Sequence, residues 1–302
     1  MNNCYPSIHD LPPSPRDKTG WPWTIESAPY SPSQPVEKNW PRVSIVTPSY
    51  NQGDFIEETI RSVLLQGYPN LEYIIIDGGS TDNSVEIIER YSQWLTYWIS
   101  EADNGQANAI NKGFKCANGE ILGWLNSDDT FLPHTLANVA AYTKVYPDAV
   151  MWIGACNLSD TAGNVLEVVE PRNITPQGIA NWWYEGFFYQ PAAFFSATAF
   201  EKVGPLDESL YFAMDLDLWL KMIKAGHFVT TNEIWAVAKR HAEAKTVKEN
   251  EWLHAETITV VYNAGFRKAA TNRLTRLNEY AVYQDKFRTR LRKGLRQVLV
   301  PL

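Results

Sequence analysis

Between residues 43 and 146 the hydrophobic pattern switches repeatedly between two periods, and this limits the fold more than any other feature. Val43-Ser44-Ile45-Val46-Thr47 reads as a short strand ended by Pro48. After it, Asp54-Phe55-Ile56-Glu57 has the spacing of a capping box, and Phe55, Ile56, Ile60, Val63 and Leu64 recur on one helical face until Gly67. Residues 71–76 form a second strand whose Ile74-Ile75-Ile76 core is unbroken, as expected when both faces of a sheet are covered. Helices are predicted over 85–94, 106–116 and 132–146, with apolar strand segments at 97–99 and 120–125. Strands alternating with helices of about ten to fifteen residues predict an α/β domain with a Rossmann-like, mostly parallel central sheet and helices on both faces.

The flanks read differently. Residues 1–40 carry many prolines and no sustained period, which predicts an extended arm anchored by Trp21 and Trp23. Residues 41–250 form the main domain, less regular over 150–200, with a late helix at 215–225 and a strand at 229–238. Residues 251–302 read as helical and become strongly basic, with six Lys and Arg side chains between Lys286 and Arg296. On a helix, Phe287, Leu291, Leu295, Val298 and Leu299 would share a face. That pattern suits either contact with an anionic membrane surface or a solvated helix packed on protein.

Composition narrows the chemistry. A net charge of −7 argues against a general nucleic-acid binder, although an acidic site that brings its own cation can still hold an anionic substrate. The three cysteines have no metal-ligand or paired spacing, which favours a reducing compartment. No apolar run is long enough to span a bilayer, and the early residues do not resemble a secretion signal. The expected location is the cytoplasm, with the inner membrane face reachable through the tail. No G-x-G-x-x-G or P-loop follows a predicted strand.

Acidic residues cluster where an open α/β sheet binds ligands, beyond the carboxyl ends of its strands. Asp77 ends the second strand, Asp128 and Asp129 follow the strand at 120–125, and Asp215 and Asp217 open the late helix. Taken singly, Asp-Gly-Gly-Ser is a turn and Ser-Asp-Asp a helix cap. Gathered at one cleft, such carboxylates call for a cation, and their hard oxygens suit Mg²⁺ or Mn²⁺.

Taken in order, the segments Val-Ser-Ile-Val-Thr-Pro-Ser-Tyr-Asn (43–51), Ile-Ile-Ile-Asp-Gly-Gly-Ser-Thr-Asp (74–82), Asn-Lys-Gly (111–113), Gly-Glu-Ile-Leu-Gly-Trp-Leu-Asn-Ser-Asp-Asp (119–129), Gly-Pro-Leu-Asp-Glu (204–208) and Met-Asp-Leu-Asp-Leu-Trp-Leu (214–220) resemble the inverting glycosyltransferases of family 2, with their GT-A fold. The resemblance spans roughly residues 42–245. It implies a nucleotide-sugar donor, a UDP-linked one in first place, and a saccharide or lipid-linked acceptor. It places Thr47, Pro48 and Tyr50 around the nucleoside, with Asp77 accepting a hydrogen bond from the base. Asn126 and Ser127 fall in the donor loop, where the family's DxD motif begins with aspartate and this chain has Asn126.

Asp128 takes the metal-holding position of that motif, with Asp129 either assisting or capping the next helix. His241, beside Arg240, is a candidate non-carboxylate ligand in the family's late basic segment, which continues with Lys245 and Thr246. Asp215 takes the general base, although the family's preceding glutamate is Met214 here. Asp103, Gln106, Gln190 and Arg240 are candidates for sugar or acceptor contacts, and a helix N-cap is the other reading of Asp103. Nucleotidyl transfer and a non-catalytic carbohydrate-binding role are the alternatives.

Overall fold

The computed structural model describes residues 5–27, 40–241 and 251–279. The predicted basic stretch at 286–296, and Lys245 and Thr246, lie outside the described residues.

Among the described residues nine strands form one sheet in the order β3-β2-β1-β4-β8-β6-β9-β5, with β7 paired to β6. The first block comprises β1 (Val43–Ser49), β2 (Leu71–Asp77), β3 (Tyr97–Ser100) and β4 (Ile121–Trp124). Its pairings, β1 with β2 and β4 and β2 with β3, are all parallel. The predicted Rossmann-like, mostly parallel arrangement of the centre is found here. The crossovers are α1 (Ile56–Leu64), α2 (Ser84–Tyr91) and α3 (Gln106–Cys116).

Side chains alternate across this block as the pleat requires. Val43, Ile45, Tyr73, Ile75 and Ile121 face one buried cluster with α1, α2 and α4 (Thr135–Val145). Val46, Ile74, Ile76, Leu122 and Trp124 face a second. That second cluster also holds α3, α7 (Met214–Ala225) and α8 (Glu251–Asn263). Both faces are therefore dry, which explains the unbroken isoleucines of β2.

Beyond β4 the sheet becomes mixed. β8 (Ala193–Ser196) joins β4 to β6 (Met151–Ser159) by antiparallel pairing on both sides. β6 then runs parallel to β9 (Phe228–Lys239), and β9 pairs with the two-residue β5 (Thr130–Phe131). The β6–β9 register shifts between Ile153 and Cys156, where the strands bend. The remaining elements are β7 (Val165–Val169), α5 (Pro176–Ala180) and α6 (Ala197–Val203). A further helical stretch covers 267–279.

Three helix starts differ from expectation. Phe55 occupies the N-cap of α1 without a side-chain cap bond, so the Asp54–Glu57 box is not formed. Gly105, not Asp103, caps α3, although Asp103 Oδ1 accepts the Gly105 amide at 2.8 Å. Asp129 caps nothing, because β5 follows it and α4 begins only after His134.

Within the described part of the N-terminal arm, Trp21 Nε1 donates to Phe131 O at 2.8 Å and Trp23 is buried. Arg61 of α1 fastens this segment. Its guanidinium donates to Pro12 O, Pro22 O, Trp23 O and Ser14 Oγ, and lies 5.3 Å from the Trp23 ring centroid.

Candidate active site

The loops after β1, β2, β3 and β4 share one end of the parallel block, and Asp77 ties the loop after β2 to the end of β3. Its buried carboxylate accepts from Gly79 N (3.1 Å), Ser80 N (2.8 Å), Ser80 Oγ (2.5 Å) and Ser100 Oγ (2.7 Å). Gly78 N donates to Ser49 O at 2.8 Å. A Cβ on Gly78 would stand 2.9 Å from Asp103 Oδ2, so Asp103 rests directly against this loop. Three of these bonds fall on Oδ2 and one on Oδ1, so Oδ1 keeps acceptor capacity for one further donor.

The loop after β1 presents one of its three candidates. Thr47 is buried with its hydroxyl 3.1 Å from Tyr73 OH, and Pro48 is buried beside it. Tyr50 is 61% exposed. The pleat sends Thr47 into the sheet interior, so Tyr50 is the side chain available to a ligand.

After β4, Asn126 is the centre of a polar network. Its Oδ1 accepts from Gln106 Nε2 at 2.7 Å, while its Nδ2 faces Asp129 Oδ2 at 3.2 Å and Gln190 Oε1 at 3.3 Å. Gln190 Nε2 in turn donates to Trp124 O at 2.8 Å. Four sequence candidates (Gln106, Asn126, Asp129 and Gln190) therefore meet, and the asparagine amide is what lets them do so. An aspartate at 126 could accept from Gln106 but could donate to neither acceptor.

Asp129 is buried, with Oδ1 accepting the Lys239 amide at 3.1 Å. Burial, and then the neighbouring Asp128 charge, push its carboxyl well above the usual range, against the pull of the Lys239 amide and Asn126. Thr59 of α1 holds the same loop from below, its Oγ1 reaching Ser127 O (3.0 Å) and Asp129 O (2.7 Å).

Asp128 meets His241, two residues beyond the Lys239 that Asp129 holds. The Asp128 Oδ2 to His241 Nε2 distance is 2.9 Å, although the residues lie 113 apart in the chain. One further side chain, Phe55, packs against the imidazole and is itself backed by Lys239 and Glu58. The imidazole lies over Phe55 with ring centroids 4.7 Å apart, Lys239 Nζ covers the same Phe55 at 5.4 Å, and Lys239 is paired with Glu58 at 2.9 Å. The sequence places Phe55 on the apolar face of α1 and carries no local signal of this role. Arg240 is exposed, with its amide bonded to Ser159 O.

Among the described residues no three His, Cys, Asp or Glu side chains converge as a complete metal cage. A facing carboxylate and imidazole are nevertheless a chemically sound pair for a divalent ion that takes its other ligands from a diphosphate. The nitrogen ligand suits Mn²⁺ better than Mg²⁺, which prefers oxygen.

Asp215 lies in the first turn of α7, with Oδ1 accepting the Leu216 amide at 2.7 Å. Trp219, one turn on along the same face, stacks on Trp124 at 5.3 Å and 12°. That contact seats α7 at the end of β4, from which the Asn126–Asp129 loop leaves. Asp217 faces Lys221 at 2.6 Å, a pairing within the helix. A cavity of about 150 Å³ opens between residues 104–107 and 208–211, bordered by Gln106 on one side and Tyr211 on the other.

A parallel α/β block with acidic loops at its carboxyl end, completed by a mixed second half, defines a GT-A-type transferase fold. The family described as glycosyl transferase family 2 matches residues 44–204, and the chain belongs to it. Among curated relatives, an uncharacterized glycosyltransferase of Rickettsia conorii, RC0461, is 28% identical over 229 residues, 74% of this chain and 37% of that protein. The putative teichuronic acid biosynthesis glycosyltransferase TuaG of Bacillus subtilis is 42% identical over 95 residues, 30% of this chain and 38% of that one. The chain thus spans well under half the length of these two relatives.

Two solved structures share the fold. S. aureus TarS 1-349 in complex with UDP-GlcNAc has a TM-score of 0.58 at 17% identity, over 74% of this chain and 66% of that one. The mannosyltransferase PcManGT from Pyrobaculum calidifontis, in complex with GDP-Man and Mn²⁺, has a TM-score of 0.54 at 17% identity, over 91% and 85%.

Proposed function

We propose that this chain is an inverting glycosyltransferase that moves a sugar from a nucleoside-diphosphate donor, UDP-linked in first place, to a saccharide or lipid-linked acceptor. The observation that carries the reading is the pairing of Asp128 with His241 at 2.9 Å, next to a network that joins Gln106, Asn126 and Gln190. Relatives bearing glycosyltransferase names, and neighbours solved with UDP-GlcNAc and with GDP-Man and Mn²⁺, support the donor class.

In this reading Asp128 and His241 would hold a divalent ion, which supplies positive charge to the leaving diphosphate. Asp215 takes the proton of the acceptor hydroxyl as its oxygen bonds to the anomeric carbon, while the bond from that carbon to the diphosphate oxygen breaks on the opposite face. Gln106 and Gln190, oriented by Asn126, contact sugar hydroxyls, and Tyr50 lies against the nucleoside.

The loop after β1 carries no Lys or Arg between Ser49 and Gly53, which leaves a nucleotidyl-transfer reading without a triphosphate-binding group there. Among the described residues no helix is long and apolar enough to cross a membrane. Contact with lipid therefore rests on the basic sequence of the tail.

The test is release of nucleoside diphosphate from UDP-, GDP- and dTDP-linked sugars in Mn²⁺, with Asp215→Asn beside the unaltered protein. We expect the variant to lose at least about a hundredfold in turnover, in line with removal of a general base, while nucleotide affinity stays within about twofold. A fully active variant refutes the assignment.

A further inference from the structure

The helix that carries Asp215 begins badly by its own resources. Its N-cap is Ala213, which has no side-chain acceptor, and no cap bond from a side chain is made there. The three residues leading into it turn their amides to one point, and a carboxylate from another helix occupies that point. Glu256 of α8 accepts from Tyr211 N (3.0 Å) on Oε1, and from Phe212 N (2.6 Å) and Ala213 N (3.1 Å) on Oε2. Successive amides converging in this way form a concave anion site, and charge-assisted bonds are the stronger kind.

The rest of α8 is laid along α7. Val260 and Val261 are buried in the same cluster as Leu216, Leu218 and Trp219, and at the far end Lys224 Nζ donates to Ala264 O at 2.5 Å. The two helices run side by side in the same direction, with Glu256 fixing the starting end. Tyr211, held by the same carboxylate, borders the cavity that Gln106 lines on its other side. One side chain thereby sets both the start of α7 and the rim of the cleft.

We infer that Glu256 is a positioning residue for the reaction: its carboxylate fixes residues 211–213, and through them the place of the Asp215 carboxylate and of Tyr211. The inference rests on Asp215 being the base. Glu256 lies outside residues 44–204, the segment matched by the family, so this support comes from a part of the chain that the shared motifs do not cover. Without it the α7 N-terminus keeps its packing through Trp219 but loses what aims its first turn. Misplacement of a reacting group by about 1 Å can cost on the order of a hundredfold in rate.

The experiment measures release of nucleoside diphosphate from the panel of UDP-, GDP- and dTDP-linked sugars in Mn²⁺. It compares the unaltered protein with Glu256→Ala, Glu256→Gln, Asp215→Asn and the Glu256→Ala/Asp215→Asn double variant, with thermal melting recorded for each. Glu256→Ala is expected to lower kcat by roughly ten- to a hundredfold with the donor KM within about twofold. Glu256→Gln, which keeps one acceptor oxygen, recovers part of the rate and serves if the alanine variant does not fold. The double variant falls no further than Asp215→Asn alone, because a residue acting through the base has nothing to position once the base is gone. An unchanged kcat in both folded Glu256 variants, with Asp215→Asn inactive, overturns the inference. So does a double variant in which the two losses multiply. If Asp215→Asn is as active as the unaltered protein, the base assignment itself fails, a result separate from either outcome at Glu256.

Discussion

At the scale of single residues, Asn126 makes the site unlike the simple acidic cluster that its sequence suggests. The family motif begins with aspartate, and a reversion to it looks conservative. The network makes it otherwise. Asn126 Nδ2 faces Asp129 Oδ2 and Gln190 Oε1, both acceptors, and Asp129 is already a buried carboxyl. Asn126→Asp would set a second carboxyl group 3.2 Å from that of Asp129, whose own carboxyl is already pushed well above the usual range, and would leave the glutamine oxygen without its donor. An unsatisfied buried polar group costs about 1–3 kcal/mol. Asn126 and Gln190 are half-buried, so we expect the variant to lose up to that much stability in urea melts with EDTA present, whereas Asn126→Ser, which retains a hydroxyl donor, loses less. Equal stability of Asn126→Asp and the unaltered protein would remove Asn126 from the centre of the network.

At the scale of elements, the Asn-Lys-Gly segment of α3 has a role that can be derived from packing. Asn111 Oδ1 accepts the Leu206 amide at 3.0 Å while its Nδ2 reaches Leu206 O and Glu208, which fastens the 206–208 turn to the helix. Two residues on, a Cβ at Gly113 would stand 2.4 Å from Val46 Cγ1, so the glycine sets how closely α3 lies on β1. Alanine is the better helix former by about 1 kcal/mol, yet overpacking a dry core costs about 1–3 kcal/mol. Gly113→Ala should therefore destabilise on balance, and adding Val46→Ala should relieve part of the loss. Additive losses in chemical denaturation would show that the close approach does not matter.

The same elements indicate what the sequence made legible. The strands and crossovers of the parallel block were readable because burial on both faces leaves an unbroken apolar run, as in Ile74–Ile76. The motif loops were readable because their residue types repeat a family order. β5 is two residues long and exists through its pairing with β9, a partner more than 100 positions away, so the cap, one of the two readings of Asp129, belongs to a helix that starts later. Phe55 under His241, and Glu256 before α7, are long-range pairings with no local periodicity to announce them.

At the scale of the whole molecule, the candidate site is assembled from two parts of the chain that the sheet brings together. Asn126 and Asp128 leave the end of the parallel block, whereas His241 follows β9 and Asp215 belongs to α7, both in the mixed half. An ion shared by Asp128 and His241 would join the β4 loop to the end of β9, and a diphosphate on that ion would add a further tie across the cleft. Binding should then stabilise the two parts as one. Among the described residues Mn²⁺ alone meets two facing side-chain ligands and should raise Tm little, and a nucleoside diphosphate alone meets the like charge of the Asp128 carboxylate. Together they should act with more than the sum of their separate shifts. At a ligand concentration about a hundred times Kd the gain is about 2.7 kcal/mol, which corresponds to a shift of several degrees for a domain of this size. In His241→Ala the excess over the two separate shifts should vanish, while each separate shift stays small. Additive shifts in the unaltered protein, or an excess that survives loss of the imidazole, would mean that the ion does not bridge these two strands and that the cleft closes by other contacts.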